Sequence, residues 1–142
     1  MSFLTTCKRL VSTGFLELMT VTIAADLLVH LCGIEEWSDA QRRGEIRPEG
    51  TAVFIHLSAP EQVHLPANRL FCGRQDLVLL HIDPGLLDSP VRWEPGVPTD
   101  PEAMLFPHLY GPLPLAAVKK VTEYLPGPGG TFAPVVTTHD PT

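Results

Sequence analysis

The segment 53–71 changes from the alternating pattern of a strand to the spacing of a helix. Apolar residues occupy every second position from 53 to 57, with His56 between them, as in a strand with one buried face. Residues 58–61 (SAPE) then match the capping-box pattern of a helix N-terminus, and apolar residues follow at helical spacing. The pattern predicts a strand that enters a helix at Ser58, with His56 and Ser58 together at the joint.

Five further segments carry patterns of regular structure. A helix is predicted over residues 34–43, because acidic residues stand near its start, basic residues near its end and Gly44 directly after it. Apolar runs predict strands over residues 27–32, 77–82, 91–94 and 118–125. Residues 97–104 are expected to form an irregular excursion, and the prolines of residues 106–114 argue against a helix there. Two helices in the N-terminal half and mostly strand pattern after them predict an α+β fold around a compact mixed or antiparallel sheet.

The same patterns divide the chain into three parts. Residues 27–125 hold all the predicted elements and are expected to form a single domain. Residues 1–26 are expected to be an extension that is partly disordered or lies upstream of the true start, for which Met19 is a candidate. Residues 126–142 are rich in proline and glycine and are expected to be a disordered tail.

Composition narrows the classes of protein to which the chain can belong. The formal net charge is -6, with 10 Lys+Arg against 16 Asp+Glu, which argues against a protein held on long nucleic acid by phosphate contacts. No apolar run is long enough to cross a membrane, and the N-terminal stretch lacks the apolar core of a signal peptide. The 3 cysteines are widely spaced, so we expect neither a disulfide framework nor a zinc knuckle, and we expect a cytoplasmic protein.

Polar residues inside apolar strands are the first candidates for chemistry, because the sequence has no phosphate-binding glycine loop and no protease or esterase motif. His30 lies in the first predicted strand, and His56 and Ser58 lie in the central stretch, so the three could line one cleft. The alternative for each histidine is a core-edge side chain satisfied by a backbone carbonyl, and the alternative for Ser58 is a helix cap. The histidines at 30, 56 and 108 have no local ligand pair, so no metal is expected.

Three further candidates, Glu94, His108 and Tyr110, stand later in the chain. Glu94 follows a tryptophan, and we expect the indole to desolvate the carboxylate and raise its pKa, as suits a general acid or base. The alternative is a salt bridge to Arg92 or Arg69. His108 and Tyr110 lie two apart in a segment rich in Pro and Gly, which is expected to be a rigid loop that could project both into a pocket or serve only as a lid over the core.

Several segments taken together carry a family resemblance. They are FIHLS at 54–58, ANRLF at 67–71, DLVLLHIDP at 76–84, VRWEP at 91–95 and FPHLYGPLPL at 106–115. Together with His30 they resemble the DUF952 family of small, mostly bacterial proteins of unknown function, over residues 28–124. The fold of that family is thought to be similar to that of the ADP-ribosyltransferase superfamily, so the resemblance implies that fold here.

The superfamily resemblance implies roles for three of the candidates. In that superfamily a first-strand His or Arg holds the NAD ribose or phosphate, a Ser or Tyr on a following strand supports the nicotinamide, and a later Glu bonds the ribose 2′-OH. His30, Ser58 (with His56) and Glu94 match these positions by their order along the chain. The S-T-S triplet of the superfamily is absent, and so is the ExE pair of the arginine-modifying toxins, which speaks against modification of protein arginines.

Three functional hypotheses are consistent with the sequence. The first is an enzyme that acts on NAD or on an ADP-ribose or 2′-phosphate derivative, with Glu94 and His30 as catalytic residues, NAD as a substrate and no metal. Its ligand-binding residues would be His56, Ser58, Arg69, His108 and Tyr110. The second is a non-catalytic module that binds a small nucleotide on the same fold. The third is a structural or interaction protein whose histidines are core residues.

Overall fold

The computed structural model describes residues 27–96 and 104–135, which form an α+β fold with antiparallel sheets. The helices are α1 (Ile34–Arg43) and α2 (His64–Leu70). The strands are β1 (Leu28–Gly33), β2 (Glu45–Ile46), β3 (Ile55–His56), β4 (Leu77–Ile82), β5 (Val91–Pro95), β6 (Leu105–Leu109), β7 (Leu113–Pro114) and β8 (Val118–Glu123). Within these residues, no helix has the length and apolar character needed to cross a membrane.

Strand β4 lies between β1 and β8, and both of its faces are buried. Val78, Leu80 and Ile82 pack into one hydrophobic cluster, whereas Leu77 and Leu79 pack into a second. Because successive side chains of a strand point to opposite faces, an almost continuous apolar run can fill two clusters at once. The predicted strand over residues 77–82 is therefore confirmed, and it forms the centre of the fold.

A second antiparallel sheet carries most of the candidate residues, with β6 lying between β3 and β5. Ile55 is paired with Leu109, and both are buried in the core. His56 is paired with His108 at the next position, so the two imidazoles share the opposite face. The register also puts Glu94 of β5 on the face that carries His108. A short pairing of β2 with β7 makes a third, two-stranded sheet.

Helix α1 has the bounds that the sequence predicted. Glu35 and Glu36 lie in its first turn and Arg42 and Arg43 in its last, which suits the helix dipole. Gly44 ends the helix in the left-handed conformation (φ 88°), and its N–H bonds to the carbonyl of the last turn.

Helix α2 begins at His64 rather than at Ser58, which corrects the predicted joint between strand and helix. Ser58 continues the extended chain, because its backbone exchanges two hydrogen bonds with Val29 of β1 (2.8 and 2.9 Å). At this corner the side-chain oxygen of Gln62 accepts the hydrogen bond from the Ala59 N–H, at 2.9 Å. Pairing with β1 thus outweighs the local capping pattern.

Strand β6 forms in a segment that was expected to be irregular because of its prolines. Pro107 has no N–H to donate, but its carbonyl accepts a hydrogen bond from the Leu57 N–H at 2.9 Å. His108, which was expected on a loop, is therefore held on a strand paired on both sides, and Tyr110 follows directly after it. Residues 97–103 of the predicted excursion lie outside the described residues.

Part of the predicted disordered tail packs against the domain. Phe132 is only 3% exposed and stacks on Tyr124, with ring centroids 4.9 Å apart. Asn68 of α2 donates to the Phe132 carbonyl (3.0 Å) and accepts from its N–H (2.6 Å). The prediction is therefore corrected for residues 126–135, because one aromatic anchor outweighs a composition rich in Gly and Pro. The predicted extension 1–26 and residues 136–142 lie outside the described residues.

Candidate functional site

A cavity of about 440 Å³ lies beside β1, β3, β6, the start of α1 and the end of α2. Its volume falls within the range of about 300–1,000 Å³ that is typical of small-molecule sites. Five candidates from the sequence line it: His30, His56, Ser58, Arg69 and His108. Apolar side chains, including Phe54, Leu70 and Phe106, form much of the remaining wall.

The imidazole of His30 is fixed at one nitrogen and unbonded at the other. His30 is 8% exposed, and its Nδ1 donates a hydrogen bond to the carbonyl oxygen of His56 at 2.9 Å. Because a carbonyl can only accept, Nδ1 carries a hydrogen. Nε2 is buried and has no hydrogen-bond partner among the described residues. It lies 3.8 Å from Oε2 of Glu36, which is longer than a hydrogen bond, but the contact still lowers the pKa of that carboxyl.

His108 has the same arrangement on β6, a strand of the other three-stranded sheet. It is 4% exposed, and its Nδ1 donates to Oε1 of Glu94 at 2.8 Å. The hydroxyl of Tyr110 donates to the same oxygen at 2.7 Å, and the guanidinium of Arg92 lies over the Tyr110 ring, 4.9 Å from its centroid. Nε2 of His108 is buried without a partner among the described residues. Glu94 thus sets the orientation of the His108 ring.

Aromatic packing holds the imidazoles of β3 and β6 in place. The Phe54 ring stacks on His108 with centroids 4.1 Å apart, and His56 meets His108 edge to face at 5.0 Å. Burial of the His56 ring by these neighbours lowers its pKa, and electrostatic interaction with His108, His30 and Arg69 lowers it further. Part of the His56 side chain stays exposed to solvent.

The environment of Glu94 is the reverse of the one expected from its neighbouring indole. Trp93 is on the exposed side of the strand and does not bury the carboxylate. Hydrogen bonds from Tyr110 and then from His108 hold the pKa of Glu94 below its ordinary value. The expectation of a raised pKa was therefore wrong. Neither Glu94 nor Tyr110 lines the cavity, so both act on it through His108.

Phe54 and Glu36 are among the cavity residues that were not singled out from the sequence. Phe54 directly precedes β3 and stands two positions before His56, so its place beside the His56 ring was visible in the period-two pattern. Glu36 was explained by the dipole of α1, and its approach to His30 depends on how the helix turns back over β1. The spacing of residues along the sequence therefore did not predict the contact between Glu36 and His30.

Comparison with known proteins supplies the family. A family model described as "Protein of unknown function (DUF952)" matches residues 31–121, more than half of the chain. The chain belongs to the DUF952 family. The resemblance carried by the FIHLS and FPHLYGPLPL segments is thereby confirmed. No curated protein matches the chain, so membership of DUF952 brings no established activity with it.

Solved structures of one protein share the fold of this DUF952 chain. A crystal structure of protein CC0527 from Caulobacter crescentus is 31% identical, with a TM-score of 0.61, and the match covers 75% of this chain and 93% of that chain. A crystal structure of a CC0527 double mutant is 30% identical, with a TM-score of 0.61, and the match covers 75% of this chain and 93% of that chain. A solution NMR structure of CC0527 is 32% identical, with a TM-score of 0.61, and the match covers 75% of this chain and 90% of that chain. None of the three is described as an ADP-ribosyltransferase, so the likeness to that superfamily stays a prediction.

Replacing Glu94 with glutamine is expected to make the stability of this DUF952 chain less sensitive to acid. The pKa of Glu94 in the folded chain lies below its ordinary value of 4.5, so its stabilising contribution is present above that pH and is lost as the pH falls further. Glutamine keeps an oxygen that can accept from Tyr110 and His108 but carries no charge. Urea unfolding at a series of pH values should show a gap between wild type and Glu94→Gln that is widest near neutral pH and narrows below about pH 5.

Glu61→Gln is the control for that comparison, because Glu61 is also a glutamate and is exposed, whereas the carboxylate bonded to His108 and Tyr110 is that of Glu94. Its variant should differ little from wild type at any pH. A gap for Glu94→Gln that stays constant from pH 7 to about pH 3 would contradict the account of Glu94.

His30 also belongs to a group of metal-ligating side chains in the DUF952 domain. One donor atom each of His30, Cys32 and Glu36 lie within 4.8 Å of one another. Cys32 is buried, and burial together with the nearby charge of Glu36 raises the pKa of its thiol to about 12. Without an ion, this thiol is protonated at neutral pH.

Proposed function

We propose that the cavity binds a small phosphate-bearing nucleotide of the NAD or ADP-ribose kind. One observation carries the proposal. His30 and His108 line the same cavity, each has Nδ1 committed to a protein acceptor, and each has a buried Nε2 without a partner among the described residues.

A buried polar atom without a partner is unfavourable by about 1–3 kcal/mol, so two of them in one cavity wall favour a ligand that supplies hydrogen-bonding groups. Phosphate and ribose supply both kinds of group. A protonated Nε2 donates to a phosphate oxygen, and an unprotonated Nε2 accepts from a ribose hydroxyl. The ligand would therefore complete the bonding of both imidazoles.

Arg69 gives the cavity a positive group for phosphate, although the chain as a whole carries a formal charge of -6. Its side chain is exposed, lines the cavity and makes no ion pair with a described carboxylate. A planar guanidinium can bind a phosphate through two parallel hydrogen bonds. The apolar wall formed by Phe54, Leu70 and Phe106 offers a surface for a base or nicotinamide ring.

If the protein is an enzyme acting on NAD or on an ADP-ribose or 2′-phosphate derivative, His30 and His108 are its acid and base. Two imidazoles facing one ligand can move a proton on and off it, and proton transfer of this kind contributes typically about 10²–10⁴-fold in rate. Glu94 would be a positioning residue, because it fixes the His108 ring and does not line the cavity.

One observation favours the second candidate, a non-catalytic module that binds the same nucleotides. The superfamily resemblance requires a glutamate that bonds the ribose 2′-OH, but Glu94 does not line the cavity, and its Oε1 is bonded to His108 and Tyr110. Glu36, which does line the cavity, lies against His30 instead.

Thermal unfolding with added ligand tests the proposal. NAD and ADP-ribose should raise the melting temperature most, inorganic phosphate should raise it less, and nicotinamide, which lacks a phosphate, should have a smaller effect than ADP-ribose. Nicotinamide release from NAD, measured under the same conditions, separates the enzyme from the binding module. A shift with nicotinamide and none with ADP-ribose would contradict a phosphate-binding cavity.

A further inference from the structure

Three different metal-binding side chains converge where β1 meets α1. His30 and Cys32 are two residues apart in β1, so their side chains share one face of the strand. Helix α1 begins directly after β1, and its first turn brings Glu36 back over that face. The donor atoms of the three residues all lie within 4.8 Å of one another. This juxtaposition joins strand and helix, so no local sequence motif predicted it.

The ring of His30 is oriented as in histidines that bind a metal: one nitrogen is hydrogen-bonded to the protein and the other has no hydrogen-bond partner among the described residues. Histidines that bind metal almost always donate their other ring N–H to a carbonyl or a carboxylate, which fixes the ring. Nδ1 of His30 makes such a bond to the His56 carbonyl (2.9 Å), and Nε2 is left buried without a hydrogen-bond partner among the described residues. With His30 only 8% exposed, water has little access to satisfy that atom.

We propose that His30, Cys32 and Glu36 bind one divalent transition-metal ion of the zinc class, with a fourth position open to the cavity. Nitrogen, sulfur and carboxylate oxygen form a ligand set that zinc accepts, with bonds of about 2.0–2.3 Å. The 3.8 Å between Nε2 of His30 and Oε2 of Glu36 can be bridged by two such bonds. His30 and Glu36 line the cavity and Cys32 lies behind them, so the open position faces the space where a ligand would enter.

The proposal departs from the sequence-based expectation of no metal, and it does not require that the cavity bind a nucleotide. It also gives the buried cysteine a role. The bound ion takes the place of the thiol proton of Cys32, because a thiolate and not a thiol is the metal ligand. With the ion in place, Glu36 is paired with a cation and His30 acts on the cavity through the metal.

Titration of the full chain with Co²⁺ tests the site directly, after removal of bound metal with a chelator and dialysis. Co²⁺ occupies zinc sites and gives a sulfur-to-cobalt charge-transfer band only if a thiolate is bound. The expected result is saturation at one ion per chain with that band present, and competition by Zn²⁺ that removes it. Cys72→Ala is the matched control, because Cys72 is an exposed free cysteine outside the group.

Cys32→Ala should lose the charge-transfer band and bind Zn²⁺ at least about 100-fold more weakly, since loss of even an outer-shell partner weakens metal binding about 10–100-fold. Glu36→Gln should keep the band and weaken Zn²⁺ binding. Circular dichroism of the metal-free variants reports whether they fold. If Cys32→Ala does not fold, the Glu36→Gln result tests the proposal in its place. No stoichiometric binding, or a band that survives Cys32→Ala and disappears in Cys72→Ala, would overturn the proposal. Because no nucleotide is present, the titration reports on the metal site alone. A bound ion would occupy Nε2 of His30, the atom that the proposed function assigns to the nucleotide, so nucleotide binding is tested on metal-free protein.

Discussion

Replacing Phe132 with alanine is expected to lower the free energy of unfolding by about 3–5 kcal/mol, which is a large part of the stability of a small domain. Phe132 is 3% exposed, stacks on Tyr124 and lies in the cluster that also holds Leu77 and Leu79 of β4. Truncation removes this burial and leaves a cavity that the neighbouring strand cannot fill. Urea unfolding followed by circular dichroism measures the change.

Thr131→Ala is the matched control, because Thr131 is exposed and immediately precedes Phe132. Its effect should stay within about 0.5 kcal/mol, as for most surface substitutions. A Phe132→Ala variant as stable as wild type would mean that the segment 126–135 does not pack on the domain in solution.

Stabilisation by ADP-ribose is the second large effect, and Arg69 should account for much of it. A ligand at ~100 times its dissociation constant adds about 2.7 kcal/mol to the free energy of unfolding. A hydrogen bond to a charged group contributes about 1.5–3 kcal/mol, so Arg69→Ala should weaken binding roughly 10–150-fold. At the same ADP-ribose concentration, about 0.3–1.4 kcal/mol of stabilisation would remain.

Arg42→Ala controls for the general loss of a positive charge. Arg42 is exposed on α1, where it pairs with Asp39, and it does not line the cavity. Its variant should keep the full stabilisation. Equal losses in Arg69→Ala and Arg42→Ala would show that ADP-ribose responds to overall charge and that Arg69 makes no specific contact.

Local patterns predicted the elements whose sequence signal does not depend on the identity of a partner. The acids and arginines of α1 match its dipole and Gly44 ends it. Strand β4 pairs with the distant strands β1 and β8, but its almost continuous apolar run is typical of a strand buried on both faces, whatever its partners. Prediction failed at three positions, Ser58, Pro107 and Phe132. At each of them a partner distant in sequence determines the backbone structure. Val29 pairs with Ser58, the Leu57 N–H bonds to the Pro107 carbonyl, and Asn68 binds the backbone of Phe132.

In the candidate site, too, some residues could be predicted from the sequence and others depended on distant contacts. His30 and His56 were singled out because polar residues are rare in apolar strands, and His108 because it lies in a segment rich in Pro and Gly. The structure brings all three to one cavity. The roles of their partners were not recognisable. Sequence order suggested that Glu94 meets a ligand, whereas the register of β5 and β6 puts it behind His108, and Glu36 approaches His30 only through the turn from β1 into α1.

The central claim is that Nε2 of His30 and Nε2 of His108 bind the ligand of this DUF952 cavity. Long-range ¹H–¹⁵N correlation spectra of the histidine rings, recorded on ¹⁵N-labelled, metal-free protein with and without ADP-ribose, test it most directly. In the free protein both Nδ1 atoms should carry a hydrogen, as their bonds to the His56 carbonyl and to Glu94 require. ADP-ribose should then move both Nε2 signals and leave His81, which bonds to Thr122 outside the cavity, unchanged. Binding of ADP-ribose that leaves the His30 and His108 signals in place would contradict the claim.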